Sequence, residues 1–252
     1  MTMSTAGLVA THVKYSLIET GRVPIAVIGS LVFPTLAFCF FVLPQRAIAE
    51  DPVIATQAVA SMIVFAFMTN GLFSLGLDLA EQRSKPWVPY LRTLPGKPSA
   101  RIAGLVISTL VMATVAIIPL LIVGGLFTAA APTGMQVVLG LVAVVLTAIP
   151  SALIGAIVGT TAGPKAAIAI TQVLMFLLAF GGGLFLPPMM FPGWLDAVSK
   201  VLPVRQAREV VVAVVSGREF PLWALFGLLA WTAVLGFLAV FFYKRDEGRK
   251  FS

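Results

Sequence analysis

The residues of this 252-residue chain that could do chemistry are few, because it has one cysteine, Cys39, and one histidine, His12. Cys39 lies inside an apolar run, where a lone thiol can form no internal disulfide and is typical of a small buried hydrophobe. His12 lies on a polar N-terminal segment with no second histidine to complete a metal site. The composition therefore argues against thiol chemistry and against a metal centre.

One charged stretch, residues 78–101, mixes acidic and basic residues with aromatic ones. It contains Glu81, Arg83, Trp87, Tyr90 and Arg92. A solvated loop has no need of aromatic side chains, whereas Trp, Tyr and Arg are enriched at the hot spots of protein interfaces. The stretch therefore predicts a docking surface for a partner protein. Alternatively, Trp87 and Tyr90 anchor the chain at the membrane interface.

The only Gly-Lys pair in this stretch does not form a nucleotide site. Gly96-Lys97 is followed by Pro98-Ser99, and no glycine stands five residues before Gly96. The phosphate-cradling pattern G-x-x-x-x-G-K-[ST] is therefore absent. We expect no nucleotide-binding domain and no bound cofactor in this chain.

The elements that position these residues are apolar. Hydrophobic residues make up 59% of the chain and charged residues 11%, against about 25% charged residues in a soluble domain. Apolar runs of about 20 residues recur, and such runs can cross a bilayer. The sequence predicts an all-α polytopic membrane protein with one transmembrane domain over residues 1–252. Its six predicted spans cover about 23–43, 56–77, 102–127, 135–160, 166–186 and 221–243.

The basic excess falls on one side of this predicted topology. With the N-terminus inside, twelve basic and five acidic residues lie on inner segments, and five of each lie on outer segments. The whole net charge of +7 is then on the inner face, as the positive-inside rule requires. We expect both termini in the cytoplasm and no nucleic-acid partner.

The predicted spans carry no ionisable residue near the bilayer midplane. A proton-coupled transporter usually needs an intramembrane relay, and an ion channel usually shows charged rings or carbonyl filters. If the protein moves a substrate uphill, we therefore expect another subunit to supply the energy.

Several positions predict how the spans bend and pack. Helix breaks are expected at Pro34, Pro119, Pro150 and Gly181–Gly183. Small residues recur every fourth position along the fourth span, at Ser151, Gly155, Gly159 and Gly163. Such a stripe permits close helix approach, either to another helix of the same chain or to a second copy.

The segment between the fifth and sixth spans predicts two short amphipathic helices that lie in the outer leaflet or dip into it. Trp194 and Leu195 belong to the first piece, and Arg205 and Arg208 to the second. The alternative is a partly structured outer loop. Near the N-terminus, a ladder of apolar residues every fourth position predicts an interfacial helix before the first span.

Three motifs resemble those of ABC-2 type permeases, in the order in which that family has them. Their residues are Arg22-x-Pro24, then Glu81-x-Arg83 with Trp87 and Leu91-Arg92-x-Leu94-Pro95, then Phe191-Pro192-x-Trp194-Leu195 with Leu202-Pro203. The middle motif resembles the coupling-helix region of the family. The closest similarity is to the drug and antibiotic-resistance (daunorubicin-type) branch. One departure is a pair of prolines, Pro86 and Pro89, which shorten or bend the coupling helix.

The resemblance implies a permease subunit of an ATP-driven exporter, not itself an enzyme, in a bacterial plasma membrane. It implies two copies of an ABC ATPase carrying ATP and Mg, and a second permease copy or a paralogue. The ATPase-contacting residues would be Glu81, Arg83, Trp87, Tyr90, Leu91 and Arg92.

The resemblance also implies a substrate pathway along the first, second and fifth spans. Thr69, Asn70 and Gln172 are the candidate polar contacts for an amphipathic drug-like, antibiotic or lipid-like substrate. The alternatives, in order, are a membrane scaffold or assembly factor, a secondary transporter and a membrane enzyme.

Overall fold

The computed structural model describes residues 5–22, 24–84 and 98–249, and this part of the chain is helical with no strand. A 3₁₀ turn covers Pro188–Met190. The α-helices are α1 Thr5–Gly21, α2 Pro24–Phe41, α3 Arg46–Ala49, α4 Pro52–Ser84, α5 Pro98–Phe127, α6 Gly134–Thr147, α7 Ile149–Thr161, α8 Pro164–Gly181, α9 Gly193–Val201, α10 Pro203–Ser216 and α11 Leu222–Arg249.

Five stretches of the described residues are long and apolar enough to cross a membrane. They are Pro52–Arg83, Ala103–Phe127, Gly134–Thr161, Pro164–Gly181 and Leu222–Tyr243. A shorter apolar stretch, Leu31–Phe41, forms the second part of α2. The prediction of an all-α polytopic membrane protein is confirmed.

The helix breaks follow from residues that cannot continue a helix. α6 and α7 meet at Ala148, and Pro150 follows in the first turn of α7, where its missing N–H costs no hydrogen bond. α8 ends at Gly181, and Gly183 has φ +71°, a left-handed conformation that favours glycine. The breaks predicted at Pro150 and Gly181–Gly183 are confirmed. The helices α2 and α5 continue through Pro34 and Pro119, so the prediction of breaks at these two prolines is wrong.

Two helices begin at residues that cap their free N–H groups. The Asp51 carboxylate accepts hydrogen bonds from the N–H groups of Val53 and Ile54, both at 2.9 Å, at the start of α4. Thr133 and Gln136 form a capping box at the start of α6.

α4 is the central helix of the molecule. In its most apolar 18-residue window, 78% of the residues are buried, against 11% in the corresponding window of α11. α4 packs against α2, α5, α7, α8 and α10. Its fully buried side chains include Met62, Phe65, Phe67 and Leu72. α4 therefore contacts most of the other helices of the bundle.

The backbones of α4 and α7 lie so close together that there is no room for a side chain at two glycines between them. A Cβ atom added to Gly155 would lie 2.5 Å from the Gly71 carbonyl oxygen and 2.9 Å from that of Leu72. A Cβ atom added to Gly159 would lie 2.6 Å from the Gly76 carbonyl oxygen. The small-residue stripe of α7 therefore packs against α4 of the same chain, as the first of the two interpretations predicted.

α1 packs along α5. The Ser16 and Ser108 hydroxyls are 2.9 Å apart and share a hydrogen bond. Gly104 allows a close approach, because an added Cβ atom would lie 2.5 Å from Cβ of His12. The predicted N-terminal helix is therefore present, while its position at the membrane surface stays a prediction.

Candidate functional site

The two short helices predicted after the fifth span are present as α9 and α10. On α9, Trp194, Val198 and Val201 are 70%, 56% and 61% exposed, while Leu195 is half-buried and Ser199 is buried. An exposed apolar face suits contact with lipid.

α10 is instead enclosed by protein. It packs against α4, α6 and α11, and both of its arginines, Arg205 and Arg208, are buried. We call this region, where α10 meets the first half of α4, the α10 end of the molecule.

Arg208 ties α10 to α4. Its Nη1 lies 2.8 Å from Glu209 Oε1, and its Nε donates a 2.9 Å hydrogen bond to the Ser61 hydroxyl oxygen. The Ser61 hydroxyl in turn donates to the Gln57 carbonyl oxygen at 2.7 Å. The guanidinium group therefore bridges two helices that are distant in the sequence.

Arg205 faces α9 and shares the same carboxylate. Its Nε lies 3.0 Å from Glu209 Oε1, but at an angle that forms no hydrogen bond. Its Nη2 lies 3.5 Å from Asp196 Oδ1, and its Nη1 donates to the Ser199 hydroxyl oxygen at 3.4 Å. One carboxylate, Glu209, thus serves two buried cations, which offsets only part of their desolvation cost.

The pKa values of two residues in this region, Arg208 and Asp196, are lowered. Desolvation lowers the pKa of Arg208 to about 10, against the opposing effect of Glu209. The hydrogen bond from Lys200, at 2.7 Å, lowers the pKa of the half-buried Asp196, and the charges of Lys200 and Arg205 add to this effect. Arg208 and Asp196 are therefore charged near neutral pH.

A cavity of about 240 Å³ opens beside this network. Arg205, Arg208, Glu209 and Arg218 supply its charged wall. Leu184, Phe185 and Met189 are among its apolar lining residues.

An aromatic cluster holds the apolar wall in place. The ring of Phe185 lies 4.7 Å from the rings of Phe41 and Phe65 and 5.0 Å from that of Phe180, between centroids. Aromatic contacts at these distances are favourable beyond the area they bury. The wall formed by Phe185 is therefore well supported by α2, α4 and α8.

Hydrogen bonds fasten the C-terminus of α9 to its neighbours. Trp231 Nε1, on α11, donates to the Val201 carbonyl oxygen at 2.7 Å. Gln206 Nε2 donates to the Lys200 carbonyl oxygen at 3.0 Å. These donors satisfy carbonyl groups that a helix end otherwise leaves unpaired.

At the other end of α4, Arg83 joins α4 to α7. Its Nη1 donates to the Gly159 carbonyl oxygen at 3.0 Å and is 3.5 Å from that of Ala162. These carbonyl groups lie at the C-terminal end of α7, where a cation is favourable. Glu81 is exposed nearby in sequence. The other predicted ATPase contacts, Trp87, Tyr90, Leu91 and Arg92, lie outside the described residues.

The three predicted pathway residues lie in different environments. Thr69 and Asn70 are buried, and each donates a 2.9 Å hydrogen bond to the Ala66 carbonyl oxygen of its own helix. Gln172 is exposed on α8. Within one subunit the three side chains therefore do not share one surface, and their role as substrate contacts stays a prediction.

The network around Glu209 was not recognised in the sequence as a site. Arg205, Arg208 and Glu209 have the i, i+3, i+4 spacing of one helix face, which is unusual beside so many valines. That spacing could have indicated a buried ion pair, but nothing in it identifies Ser61 as the partner on α4.

These features define the class of the protein: it is an integral membrane protein with a central helix, α4. At one end of α4, Ser61 bonds to the buried Arg208 of α10, and at the other end Arg83 bonds to the C-terminal end of α7. The chain matches the model of the ABC-2 type transporter family over residues 8–216, and it belongs to this family. The match covers α1 to α10. The chain is a membrane permease of this family.

A relative in Bacillus subtilis (strain 168) bears the name "Putative transport permease YvfS". It is 24% identical to this chain over 194 residues, which cover 75% of this chain and 79% of the relative.

Proposed function

We propose that this chain is the membrane-spanning subunit of an ATP-driven exporter. Membership of the ABC-2 family over most of the chain is the observation that carries the proposal. The sequence lacks the phosphate-cradling pattern G-x-x-x-x-G-K-[ST]. A separate polypeptide therefore binds ATP and Mg and hydrolyses the ATP in this proposal.

The partners follow from the family. Members of the ABC-2 family work with ABC ATPases, often as dimers. This chain pairs with a second copy of itself or with a paralogue, and two ATPase subunits bind the pair.

The ATPase acts through the region after the second span. Glu81, Arg83, Trp87, Tyr90, Leu91 and Arg92 form the contact surface. Arg83 supports this role, because its hydrogen bond to the Gly159 carbonyl oxygen joins the C-terminal ends of α4 and α7. A force applied to one of these helix ends then also acts on the other.

The central helix carries the movement to the other end. Ser61 and Arg83 both lie on α4, about 33 Å apart at about 1.5 Å of rise per residue. That distance matches the hydrocarbon thickness of about 30 Å. A rigid-body shift at Arg83 is therefore delivered to Ser61 and, through Arg208, to α10.

The membrane is the plasma membrane of a bacterium, and both termini are cytoplasmic. The excess of basic residues on the predicted inner segments supports this orientation. Arg83 then lies at the cytoplasmic end of α4, and α10 at the outer end.

The substrate is an amphipathic drug-like, antibiotic or lipid-like molecule, as expected of an efflux permease in the daunorubicin-type branch. Thr69, Asn70 and Gln172 are the proposed polar contacts. An apolar cavity of about 290 Å³ between α4, α5, α6 and α10 supports an apolar substrate, since Val59, Leu121 and Val211 are among its lining residues.

The experiment is affinity purification of the full chain from membranes of its native host, with quantification of co-purifying proteins. We expect an ABC ATPase in a one-to-one ratio, and its loss when Trp87, Tyr90 and Arg92 are replaced by Ala together. The matched control is Arg46→Ala, an exposed residue of α3. A chain purified without any ATPase would favour the scaffold role instead.

A further inference from the structure

Three guanidinium groups line the cavity at the α10 end, against a single carboxylate among its lining residues. The cations are Arg205, Arg208 and Arg218, and the carboxylate is Glu209. Asp196, which does not line the cavity, also pairs with Arg205. The two buried arginines are therefore balanced by Asp196 and Glu209, and the exposed Arg218 supplies an excess positive charge at the cavity.

Part of this positive charge has no partner among the described residues. Arg208 uses Nε and Nη1 for Ser61 and Glu209, and its Nη2 makes no hydrogen bond within the described ranges. Arg218, which is exposed, pairs with no carboxylate in the same part of the chain. The donors of two guanidinium groups are therefore available at one cavity.

Apart from Gln57 and Ser61, the other lining residues of the cavity are apolar. Leu184 and Phe185 are among them and are almost fully buried. The cavity volume of about 240 Å³ lies below the range of about 300–1,000 Å³ typical of pockets for drug-sized ligands. It suits a headgroup with the first part of a chain, and not a whole ligand.

We propose that this cavity binds the anionic headgroup of an amphipathic molecule. Arg208 and Arg218 bind a phosphate or carboxylate by charge-assisted hydrogen bonds, and Leu184, Phe185 and Met189 contact the adjoining hydrocarbon. Arg205 contributes charge only, because its Nη1 and Nη2 already contact Ser199 and Asp196 and its Nε is buried beside Glu209.

The competing explanation is that the arginines only fasten α10 to α4 and α9. That explanation applies to Arg205 and Arg208, which bond to these helices. It does not apply to Arg218, which lines the cavity without an ion pair to the described residues. A variant at Arg218 therefore distinguishes the two explanations. Because Arg218 is exposed, we expect its replacement to leave the fold intact.

The test is ligand binding by the purified full chain in detergent, measured as the shift of its unfolding temperature with ligand concentration. The probes are hexyl phosphate, inorganic phosphate and hexanol. We expect hexyl phosphate to bind most tightly and hexanol to bind weakly. Arg218→Gln should weaken hexyl phosphate binding about tenfold or more, the loss expected for a charge-assisted hydrogen bond.

The matched control is Arg46→Gln, which removes the same charge from an exposed position that does not line the cavity. It should leave the affinity unchanged. Equal weakening by both variants, equal stabilisation by hexanol and hexyl phosphate, or no binding of either phosphate would overturn the proposal.

A second arm identifies the source of the anion. The hexyl phosphate titration is repeated in nanodiscs of phosphatidylglycerol and of phosphatidylcholine. Weaker binding in phosphatidylglycerol means that a lipid headgroup occupies the site, and equal binding means that a solute anion does. Neither arm requires an ATPase or ATP, so this proposal can fail or succeed independently of the export proposal.

Discussion

The close contact of α4 and α7 makes Gly155→Ala the most informative stability variant. The added Cβ atom would lie 2.5 Å from the Gly71 carbonyl oxygen, 2.9 Å from that of Leu72 and 3.1 Å from Cα of Leu72. All three atoms belong to the backbone, which cannot move aside as a flexible side chain can. The helices must therefore separate.

The magnitude follows from two opposing contributions. Overpacking costs about 1–3 kcal/mol, and rigid backbone neighbours favour the upper part of that range. Replacing Gly by Ala inside a helix gains about 0.8–1 kcal/mol. The net loss is about 2 kcal/mol, which corresponds to a fall of about 4–8 °C in the unfolding temperature of a chain of this size.

The assay is thermal unfolding of the purified chain in detergent, followed by tryptophan fluorescence. Gly236→Ala is the matched control, because Gly236 lies in the middle of α11 and its nearest neighbour would be 4.0 Å from the new atom. We expect that variant to be unchanged or more stable by up to about 1 kcal/mol. If Gly155→Ala unfolds at the same temperature as Gly236→Ala, the α4–α7 contact is not as close as described.

Three further variants test single contacts. Arg83→Ala should destabilise the chain by about 1 kcal/mol or more, because the Gly159 carbonyl oxygen loses its donor. In the same unfolding assay, Arg83→Lys should lose less stability than Arg83→Ala. Trp231→Phe should speed hydrogen–deuterium exchange in α9 while α4 is unaffected, because it removes the donor to Val201. Glu209→Gln should lower the unfolding temperature more than Arg83→Ala or Trp231→Phe, since a buried charge left without its partner costs about 3–5 kcal/mol. If Glu209→Gln and Trp231→Phe lowered it equally, Glu209 would not be the shared partner of the two buried arginines.

The helical architecture could be predicted from the sequence because its signals are local. Long apolar runs predict the membrane-length helices, and Pro150 and Gly183 mark breaks where a hydrogen bond or a left-handed residue is required. The glycine stripe of α7 predicted a close helix contact, and Gly155 and Gly159 make that contact with α4.

The partners of the charged residues could not be predicted, because they are distant in the sequence. Arg208 donates a hydrogen bond to Ser61, which is 147 residues away in the sequence, and Arg83 donates one to Gly159, which is 76 residues away. The amphipathic pattern of α10 predicted a helix that lies in the outer leaflet or dips into it. In the structure its two arginines are buried, because they pair with Glu209 of the same helix, with Asp196 of α9 and with Ser61 of α4.

Cysteine crosslinking between this chain and its ATPase tests the central claim most directly. Cys39→Ala removes the native thiol, and Trp87→Cys or Arg46→Cys then places a single thiol in the proposed coupling region or in α3. We expect the residue 87 variant to crosslink to an ABC ATPase in membranes of the native host and the residue 46 variant not to do so. Crosslinking from residue 46 alone, or none from residue 87 while the ATPase co-purifies, would contradict it.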